Sequence, residues 1–356
     1  MRTIYLIRHA HPDFPLGAHM CLGRTDTPLG PLGRMQACLL GEVLGSASIA
    51  AVFSSPLLRC RETAAPLGLT PILVDALAEQ DMGPWDGLDF DAIRAGWPAL
   101  YAQRASRPLL VPTGAETLEQ VRRRVLPALR RCLADSAGDI AIVAHASVIQ
   151  AVLAELTGTA LEESRDLRPP YTGYARILEE GGALRPEQRA LLPRAPLTAE
   201  LAEKLLAAAA PGDRIAAHCR AVASTALRIA EALPLPLDRE LLYAAALLHD
   251  IARREPDHGR LGAAWLRELG FDAAAALVEQ HHDLQSSQID EAAVLFLADK
   301  RTREDRIVSL EERFAESEKK CVSAQARATH AARLAQALDI QQKVEALCGG
   351  TVPLCV

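Results

Sequence analysis

Three predicted strands of this sequence are each followed by basic or imidazole side chains. Arg8 and His9 come directly after the first of these strands. Arg59 lies in the polar segment after the second, and His145 follows the third. Because ligands bind at the carboxyl ends of strands in open α/β sheets, we expect these side chains to meet at one sheet edge. Guanidinium groups match phosphate oxygens bidentately, so the sequence predicts a phosphate site. The strands are predicted at Thr3–Ile7, Ile49–Phe53 and Ile140–Val143.

The residue types in this group suit phosphoryl transfer through a covalent intermediate. A neutral imidazole can attack phosphorus and form a phosphohistidine, which splits one difficult displacement into two easier ones. Arg8, Arg59 and His145 would offset the charge on the transferring phosphoryl group, so we expect this step to need no metal. The leaving alcohol needs a proton, and Glu79 is the candidate donor.

A second group of residues has the composition of a metal site. Residues 218–282 hold five of the ten histidines of the chain, where an even distribution would place about two. Asp250 is adjacent to one of them, and Asp299 follows the apolar run Val294–Ala298. A helical bundle could direct all of these side chains at one interior point. The five histidines are His218, His249, His258, His281 and His282.

Imidazole and carboxylate ligands together suit iron, manganese, cobalt, nickel or zinc. The number of candidate ligands exceeds what one ion needs, which indicates two divalent ions with a bridging aspartate and displacement at a phosphoester. A histidine on an apolar helix face is more often a core or surface residue than a ligand. However, His249 and Asp250 end the apolar segment 241–248, where their burial without a metal or other partners would be costly.

The pattern of predicted elements divides the chain into two halves of different class. In residues 1–180, apolar β-rich runs alternate with helical stretches, which predicts an α/β domain with a mostly parallel sheet and helices on both faces. Glycines and prolines interrupt this pattern, so we place a linker at 181–197. Helical spacing then predicts an all-α domain over 198–315. We expect a helical extension over 316–356, with one helix running from 310 to 347.

Composition excludes several other classes of protein. The length of 356 residues favours two domains, and the hydrophobic share of 49% excludes wholesale disorder. The net charge of -6 argues against a nucleic-acid polymer as partner. The eight cysteines show no C-x-x-C pair, and the longest apolar runs are too short to span a bilayer. We therefore expect a soluble, cytoplasmic protein without a membrane partner.

The first set of motifs resembles the histidine phosphatase superfamily, especially its phosphoglycerate mutase-like and α-ribazole-phosphatase-like members. The resemblance covers roughly residues 1–178. It rests on Leu6-Ile7-Arg8-His9, Ser54-Ser55-Pro56-Leu57-Leu58-Arg59, the Glu79 segment, Ala144-His145 and Gly23-Arg24-Thr25-Asp26.

That resemblance implies roles for individual residues. His9 is the implied phospho-acceptor and Glu79 the general acid, and no cofactor is expected in this domain. The implied phosphate-binding residues are Arg8, Arg24, Arg59 and His145. Ala10 and Ala146 stand where the family usually has glycine, and Pro12-Asp13 replaces its usual glutamate. The domain is short for a mutase, so we expect a phosphomonoesterase.

The second set of motifs resembles the HD-domain metal-dependent phosphohydrolases over roughly residues 198–315. The His258-Gly259 and Ala298-Asp299-Lys300 segments are similar to HD enzymes that cleave symmetrical dinucleoside polyphosphates. Arg253 stands where many members carry a lysine, and we expect it near a substrate phosphate. The resemblance implies one metal bound by His218, His249, Asp250 and Asp299, and a second site completed by His258, His281 and His282.

The two sets of motifs together predict a bifunctional phosphohydrolase. We expect the first domain to hydrolyse a small phosphorylated metabolite, and the second to hydrolyse a phosphoester or phosphoanhydride of a nucleotide. The two reactions would be sequential if the second domain cleaved a diester to the monoester that the first removes. Alternatively, the HD domain is a nucleotide-sensing module that regulates the phosphatase. In a third hypothesis the C-terminal helix makes the chain an assembly protein; a homo-oligomer is compatible with each of these.

Overall fold

The computed structural model describes residues 1–18, 20–104, 107, 109–319 and 321–350. Its contacts divide the chain into two units, Met1–Ala195 and Pro196–Val356. The first unit is an α/β structure with a mostly parallel sheet, and the second is helical, as the sequence predicts.

The first unit alternates strands and helices along the chain. Its strands are β1 (Arg2–Arg8), β2 (Met20–Cys21), β3 (Ile49–Ser54), β4 (Ile72–Leu73), β5 (Leu88–Asp89), β6 (Asp139–Ala144), β7 (Tyr174–Glu180) and β8 (Ala183–Leu191). Its α-helices are α1 (Pro31–Leu44), α2 (Leu58–Ala64), α3 (Phe90–Gly96), α4 (Pro98–Gln103), α5 (Leu118–Ala134) and α6 (Ala146–Thr157). Short 3₁₀ segments occupy Ala65–Leu67, Asp75–Leu77, Gly83–Trp85 and Leu161–Leu167.

The six-stranded sheet has the order β4-β3-β6-β1-β7-β8. The first four of these strands run parallel, whereas β7 and β8 are antiparallel to their neighbours. The register pairs Arg8 with Ala144, and the His9 amide donates to the Ala144 carbonyl at 3.0 Å. The Ser55 amide likewise donates to Val143 at 3.0 Å. The ends of β1, β3 and β6 are thereby brought to one edge of the sheet.

Apolar side chains pack helices against both faces of this sheet. On one face, Val121 and Val125 of α5 and Val148 of α6 are fully buried against Ile4 and Ile142. On the other face, α1 and α2 pack against the sheet through Leu40, Leu44, Cys60 and Ala64. This layering holds the three strand ends, which carry the candidate site, on a rigid frame.

Part of the predicted linker is a strand, and this corrects the sequence prediction for 181–197. Residues Ala183–Leu191 form β8, which pairs with β7. Most side chains of β8 are exposed, so the segment carries no apolar alternation that would predict a strand. Pro186 lies within it, and an edge strand tolerates proline because its outer N–H groups need no partner.

The second unit is a set of helices with one small hairpin. Side chains of Thr198, Asp238, Asp290 and Ser309 accept hydrogen bonds from backbone amides and so fix the starts of four of the helices. The helices are α7 (Ala199–Ala209), α8 (Asp213–Ala232), α9 (Arg239–Leu248), α10 (His258–Glu268), α11 (Asp272–Gln280), α12 (Glu291–Arg301), α13 (Leu310–Glu318) and α14 (Ala324–Cys348). The hairpin consists of β9 (Thr302–Arg303) and β10 (Arg306–Ile307).

Two details of the second unit differ from the sequence predictions. The all-α prediction missed the β9–β10 hairpin. Strands of two residues are too short to produce a recognisable periodicity in the sequence. The single helix predicted over 310–347 is wrong, because α13 ends at Glu318 and α14 begins after Ser323. The Ser323 side chain accepts from the Ala326 amide and so marks a new helix start. Of the predicted extension over 316–356, Lys320 and 351–356 lie outside the described residues.

Candidate active sites

The structure brings the two predicted phosphatase histidines together. The ring centroids of His9 and His145 are 5.0 Å apart, and both side chains are buried. Nδ1 of His9 lies 2.8 Å from the Ala10 carbonyl, which can only accept, so Nδ1 carries the hydrogen and Nε2 has the free lone pair. A second imidazole therefore lies beside a potentially nucleophilic nitrogen.

Two arginines flank this pair and keep donor capacity for an anion. Arg59 is fully buried, and its terminal nitrogens donate to the Thr25 and Gly23 carbonyls at 2.8 Å each. Arg8 donates to the Pro169 carbonyl at 2.8 Å. The Nε atoms of both arginines are buried and have no hydrogen-bond partner among the described residues. An unmade hydrogen bond at a buried donor is costly, and a bound phosphate would supply the missing acceptor.

Glu79 and the start of α6 complete the site. Glu79 is 7% exposed and accepts from the Gln80 amide at 2.8 Å. It lines a cavity of ≈ 240 Å³ together with Arg8, Ala146 and Ser147. Ala146 begins α6, so the N-terminus of a 12-residue helix adjoins the cavity and favours an anion there.

The Arg24 side chain, which is predicted to bind phosphate, faces a carboxylate of the protein. Its terminal nitrogen lies 3.8 Å from a carboxylate oxygen of Glu116, and, like His9, Arg59 and His145, it is not among the residues that line the cavity. The backbone N–H of Arg24 is not free to bind phosphate either, because it donates a hydrogen bond to the Asp86 carboxylate at 2.7 Å.

Sequence reasoning missed three side chains that contact the predicted residues. The Tyr171 ring stacks under the Arg8 guanidinium at 4.1 Å and lies 5.5 Å from the His9 ring. Ser55 Oγ lies 2.8 Å from Nε2 of His145, and Cys60 Sγ lies 3.3 Å from the same atom. Ser55 and Cys60 belong to the segment that carries Arg59, whereas Tyr171 lies in a loop that showed no catalytic motif.

Electrostatics keep both histidines of this site neutral. Burial lowers the pKa of His9 well below its ordinary value, and the guanidinium groups of Arg59 and Arg8 lower it further. Burial also lowers the pKa of His145, with Arg59 and His9 acting in the same direction. A neutral imidazole is the form that can act as a nucleophile.

The second unit gathers all seven predicted metal ligands. The ligand atoms of His258, His281 and His282 lie within 4.8 Å of one another, and so do those of His218, His249 and Asp250. Asp299 joins the second group, since its Oδ1 lies 3.3 Å from His218 Nε2 and 3.7 Å from His249 Nε2. The residues lie at helix ends or within helices: His218 in α8, His249 and Asp250 after α9, His258 at the start of α10, His281 and His282 after α11, and Asp299 in α12.

Asp250 lies between the two groups and faces both. Its Oδ2 is 3.7 Å from Nε2 of His249, whereas its Oδ1 is 3.2 Å from Nε2 of His258 and 3.7 Å from Nε2 of His281. One carboxylate thus offers an oxygen to each group, which is the geometry of a bridging ligand.

Backbone carbonyls orient three of these imidazoles. Nδ1 of His249 lies 2.8 Å from the Ala246 carbonyl, and Nδ1 of His281 lies 2.6 Å from that of Val278. Nδ1 of His218 lies 2.9 Å from the Glu304 carbonyl in the β9–β10 hairpin. Because a carbonyl only accepts, each Nδ1 carries a hydrogen, and each Nε2 is left to face the cluster. Metal-binding histidines are commonly fixed in this way.

The buried polar atoms of the cluster fit bound metal ions. Nε2 of His249, Nε2 of His281 and Oδ1 of Asp250 are buried and have no hydrogen-bond partner in the part of the chain that the structure describes. Burying such acceptors without a partner is unfavourable, and a divalent cation satisfies all three. Gly259 leaves the necessary room, because a Cβ there would lie 3.1 Å from Cε1 of His281.

The electrostatics of the cluster also suit a cation. Burial alone would raise the pKa of Asp250, but the neighbouring imidazoles of His249 and His258 hold it well below its ordinary value. Burial opposes ionisation of Asp299 as well, yet Lys300 and His218 lower its pKa. Burial lowers the pKa of His281 to about 3. Burial also lowers the pKa of His249, but the Asp250 carboxylate outweighs this and raises it well above its ordinary value, so a bound cation would have to displace that proton. Ionised carboxylates and neutral imidazoles are the protonation states that ligate metals.

Lys300 contacts the cluster, and sequence reasoning assigned it no role. Its Nζ donates to Oδ2 of Asp299 at 2.7 Å and to the His281 carbonyl at 3.1 Å. The lysine thereby leaves the other oxygen of Asp299 directed at the histidines. It ties α12 to the end of α11, where His281 lies.

Arg253 lies beside the cluster, in an arginine-rich cavity of ≈ 270 Å³. One terminal nitrogen of Arg253 is 2.7 Å from His258 Nε2 and 3.6 Å from Asp250 Oδ1. Arg313 also lines the cavity, and no described residue accepts a hydrogen bond from its buried Nε. The cavity is lined by Arg214, Ile215, His218, Asp250, Arg253, Arg303, Glu304, Arg313, Glu316 and Ser317.

Comparison with known proteins identifies both halves. The model of the histidine phosphatase superfamily, branch 1, matches residues 4–189, and the chain belongs to that superfamily. Residues 215–304 match the HD domain. The chain is therefore a hydrolase that acts on phosphoric esters, and its families act on small phosphorylated substrates. HD domains are typically metal-dependent, in agreement with the cluster of histidines and aspartates.

Individual relatives cover about half of the chain. The glucosyl-3-phosphoglycerate phosphatase of Mycobacterium tuberculosis is 31% identical over 168 residues, which are 44% of this chain and 75% of that protein. The uncharacterized phosphatase PhoE of Bacillus subtilis is 30% identical over 164 residues, 44% of this chain and 79% of its own length. The solved structure of mycobacterial hydrolase 2 is 26% identical, covers 59% of this chain and 97% of its own, and superposes with a TM-score of 0.51. Within the described residues, no helix is both long and apolar enough to cross a membrane.

Proposed function

We propose that the chain is a bifunctional phosphohydrolase with a metal-independent phosphomonoesterase site and a metal-dependent HD site. The observation that carries this proposal is that each half gathers its own set of chemically suited side chains. His9, His145 and the two arginines surround a site with unmet donor capacity. Independently, the seven C-terminal ligands surround unpartnered buried acceptors.

In the first site, Nε2 of His9 attacks the phosphorus atom of the monoester. The bond from phosphorus to the leaving oxygen breaks, and Glu79 donates a proton to that oxygen, so that an alcohol departs. Arg8, Arg59 and neutral His145 stabilise the charge on the phosphoryl oxygens. Glu79, now a carboxylate, takes a proton from water, whose oxygen displaces the histidine and releases inorganic phosphate.

In the second site, the seven histidine and aspartate residues would hold up to two divalent transition-metal ions, of iron, manganese, cobalt, nickel or zinc. Bound ions supply Lewis acidity toward the phosphoryl oxygens. Asp250 would contribute a carboxylate oxygen to each position. Lys300 and the backbone carbonyls orient the ligands. Arg253 and Arg313 bind phosphates of the substrate, for which a nucleotide with a phosphoester or phosphoanhydride bond is the proposed class.

A panel of phosphomonoesters and phosphodiesters, assayed with and without chelator, tests the two-site proposal. We expect monoester hydrolysis to persist in chelator, because the first site uses only protein side chains. Diester or anhydride hydrolysis is expected to disappear in chelator and to return when one of the candidate metals is added. Loss of both activities on chelation would contradict the metal-independent site, and survival of both would contradict the metal-dependent one.

The pKa of His9 predicts the pH dependence of the first activity. Its ordinary value is 6.5, and burial with the neighbouring guanidinium groups holds the folded value well below this. The reactive neutral form therefore persists as pH falls through 6.5, where an ordinary histidine would become protonated. We expect the acid limb of kcat/KM to lie below pH 6.5 after correction for ionisation of the substrate. An acid limb above that value would contradict the assignment.

A further inference from the structure

Two arginines beside the phosphatase site take no part in the chemistry described above. Arg104 follows α4, and Arg168 follows the 3₁₀ segment Leu161–Leu167. Both line the ≈ 240 Å³ cavity that Arg8 and Glu79 also line. Both also line an adjoining cavity of ≈ 860 Å³. They therefore lie where the two cavities adjoin.

Neither arginine is neutralised by the protein. Nε of Arg168 donates to Gln150 Oε1 at 2.5 Å, and within the described ranges no residue accepts from its terminal nitrogens. The Arg104 guanidinium lies 5.2 Å from the Trp85 ring centroid. No described carboxylate forms an ion pair with either side chain. Burial lowers the pKa of Arg168, and although Glu79 opposes this, Arg8 and Arg104 lower it further, as expected for crowded cations.

A phosphate monoester does not need this additional charge. Its phosphoryl group carries close to two negative charges at pH 7, which Arg8 and Arg59 balance. Arg104 and Arg168 therefore remain as two further cations in the smaller cavity. Phe90 and Leu109 line both cavities and offer apolar contact to the carbon skeleton of that group.

We propose that Arg104 and Arg168 bind a second anionic group, a carboxylate or a second phosphate, on the leaving part of the phosphomonoester. This inference rests on the proposed monoesterase function and narrows its substrates to those with an anion beyond the scissile phosphate. Arginine forks bind both kinds of anion bidentately, so the chemistry of recognition is shared.

Three substrates that differ only in the remote group test the inference in the full-length protein. Glycerol 3-phosphate has a neutral remainder, 3-phosphoglycerate has a carboxylate, and glycerol 1,3-bisphosphate has a second phosphate. We expect kcat/KM to be at least about 10-fold higher for one or both anionic substrates than for glycerol 3-phosphate. The better of the two anionic substrates identifies the group that the site takes.

Variants connect this preference to the two arginines. Arg104→Gln and Arg168→Gln should each lower kcat/KM for the preferred anionic substrate by about 10- to 100-fold, and for glycerol 3-phosphate by less than about 3-fold. Arg168→Lys keeps the positive charge but loses the planar guanidinium that binds bidentately. Its kcat/KM for the anionic substrate should lie between those of Arg168→Gln and the unaltered protein. Arg94→Gln is the matched control, because Arg94 lines only the larger cavity and is paired with Asp91 at 3.2 Å.

The possible failures can be told apart. Equal kcat/KM for the three substrates in the unaltered protein would overturn the inference and leave the monoesterase function standing. Equal loss on all three substrates in both glutamine variants would overturn it too, by assigning the arginines to the scissile phosphate. Failure to hydrolyse any phosphomonoester would instead contradict the proposed function. The comparison in the unaltered protein needs no variant, so it stands even if a variant does not fold.

Discussion

Replacement of His9 by alanine is expected to lower chelator-resistant phosphomonoester hydrolysis by more than about 10³-fold. His9 supplies the only nitrogen that we assign to attack on phosphorus, and His145 is oriented differently, with its Nε2 at 2.8 Å from Ser55 Oγ. Steady-state rates in chelator measure the loss. Trapping of radiolabelled phosphate on the protein, stable to base and labile to acid, measures the phosphohistidine, which should be absent from the variant.

The second activity of the same chain provides the control for this result. Metal-dependent hydrolysis by His9→Ala should equal that of the unaltered protein, which shows that the preparation is folded and active. His9→Gln restores much of the side-chain volume without a nucleophile, and it should be as inactive as the alanine variant. Retention of more than about a tenth of the activity in either variant would contradict the assignment of His9.

The phosphatase site could be predicted to the extent that its residues lie at the ends of apolar strands. Arg8 is the last residue of β1, His9 directly follows β1, and His145 directly follows β6. The parallel pairing of these strands places the side chains together. Tyr171 and Arg168 lie in segments without regular periodicity, so only the folded chain shows that they adjoin the site. The direction of the Arg24 side chain, whose terminal nitrogen lies 3.8 Å from Glu116, likewise depends on loop geometry that a motif does not specify.

The metal cluster was predictable as a set of residues because histidine is rare on apolar helices. Which atoms face inward was not predictable, since it depends on tertiary contacts. The Glu304 carbonyl that orients His218 comes from a hairpin of two-residue strands, which carries no sequence signal. Similarly, Lys300 reaches the carbonyl of His281 only because α11 and α12 pack together. The ligand types follow from composition, and their orientation follows from the fold.

Replacement of Asp250 by asparagine is expected to remove metal from both positions of the HD site. The carboxylate offers Oδ2 to His249 and Oδ1 to His258 and His281. An amide of the same size has one carbonyl oxygen and no charge, so it cannot bridge two cations. Loss of a partner behind a ligand costs about 10- to 100-fold in metal affinity, and we expect more than about 100-fold for this ligand. Elemental analysis and metal titration of the full chain measure the change.

Asp257→Asn is the matched control for this experiment. Asp257 lies seven residues along the chain, its side chain is 67% exposed, and its carboxylate is 3.7 Å from Arg260 and outside the cluster. Its φ of +50° is a conformation that asparagine also tolerates, so the substitution introduces no strain. The control should keep the metal content and both activities. If Asp250→Asn also bound two equivalents with unchanged affinity, the bridge would be ruled out, and the two groups of histidines would have to hold their ions independently.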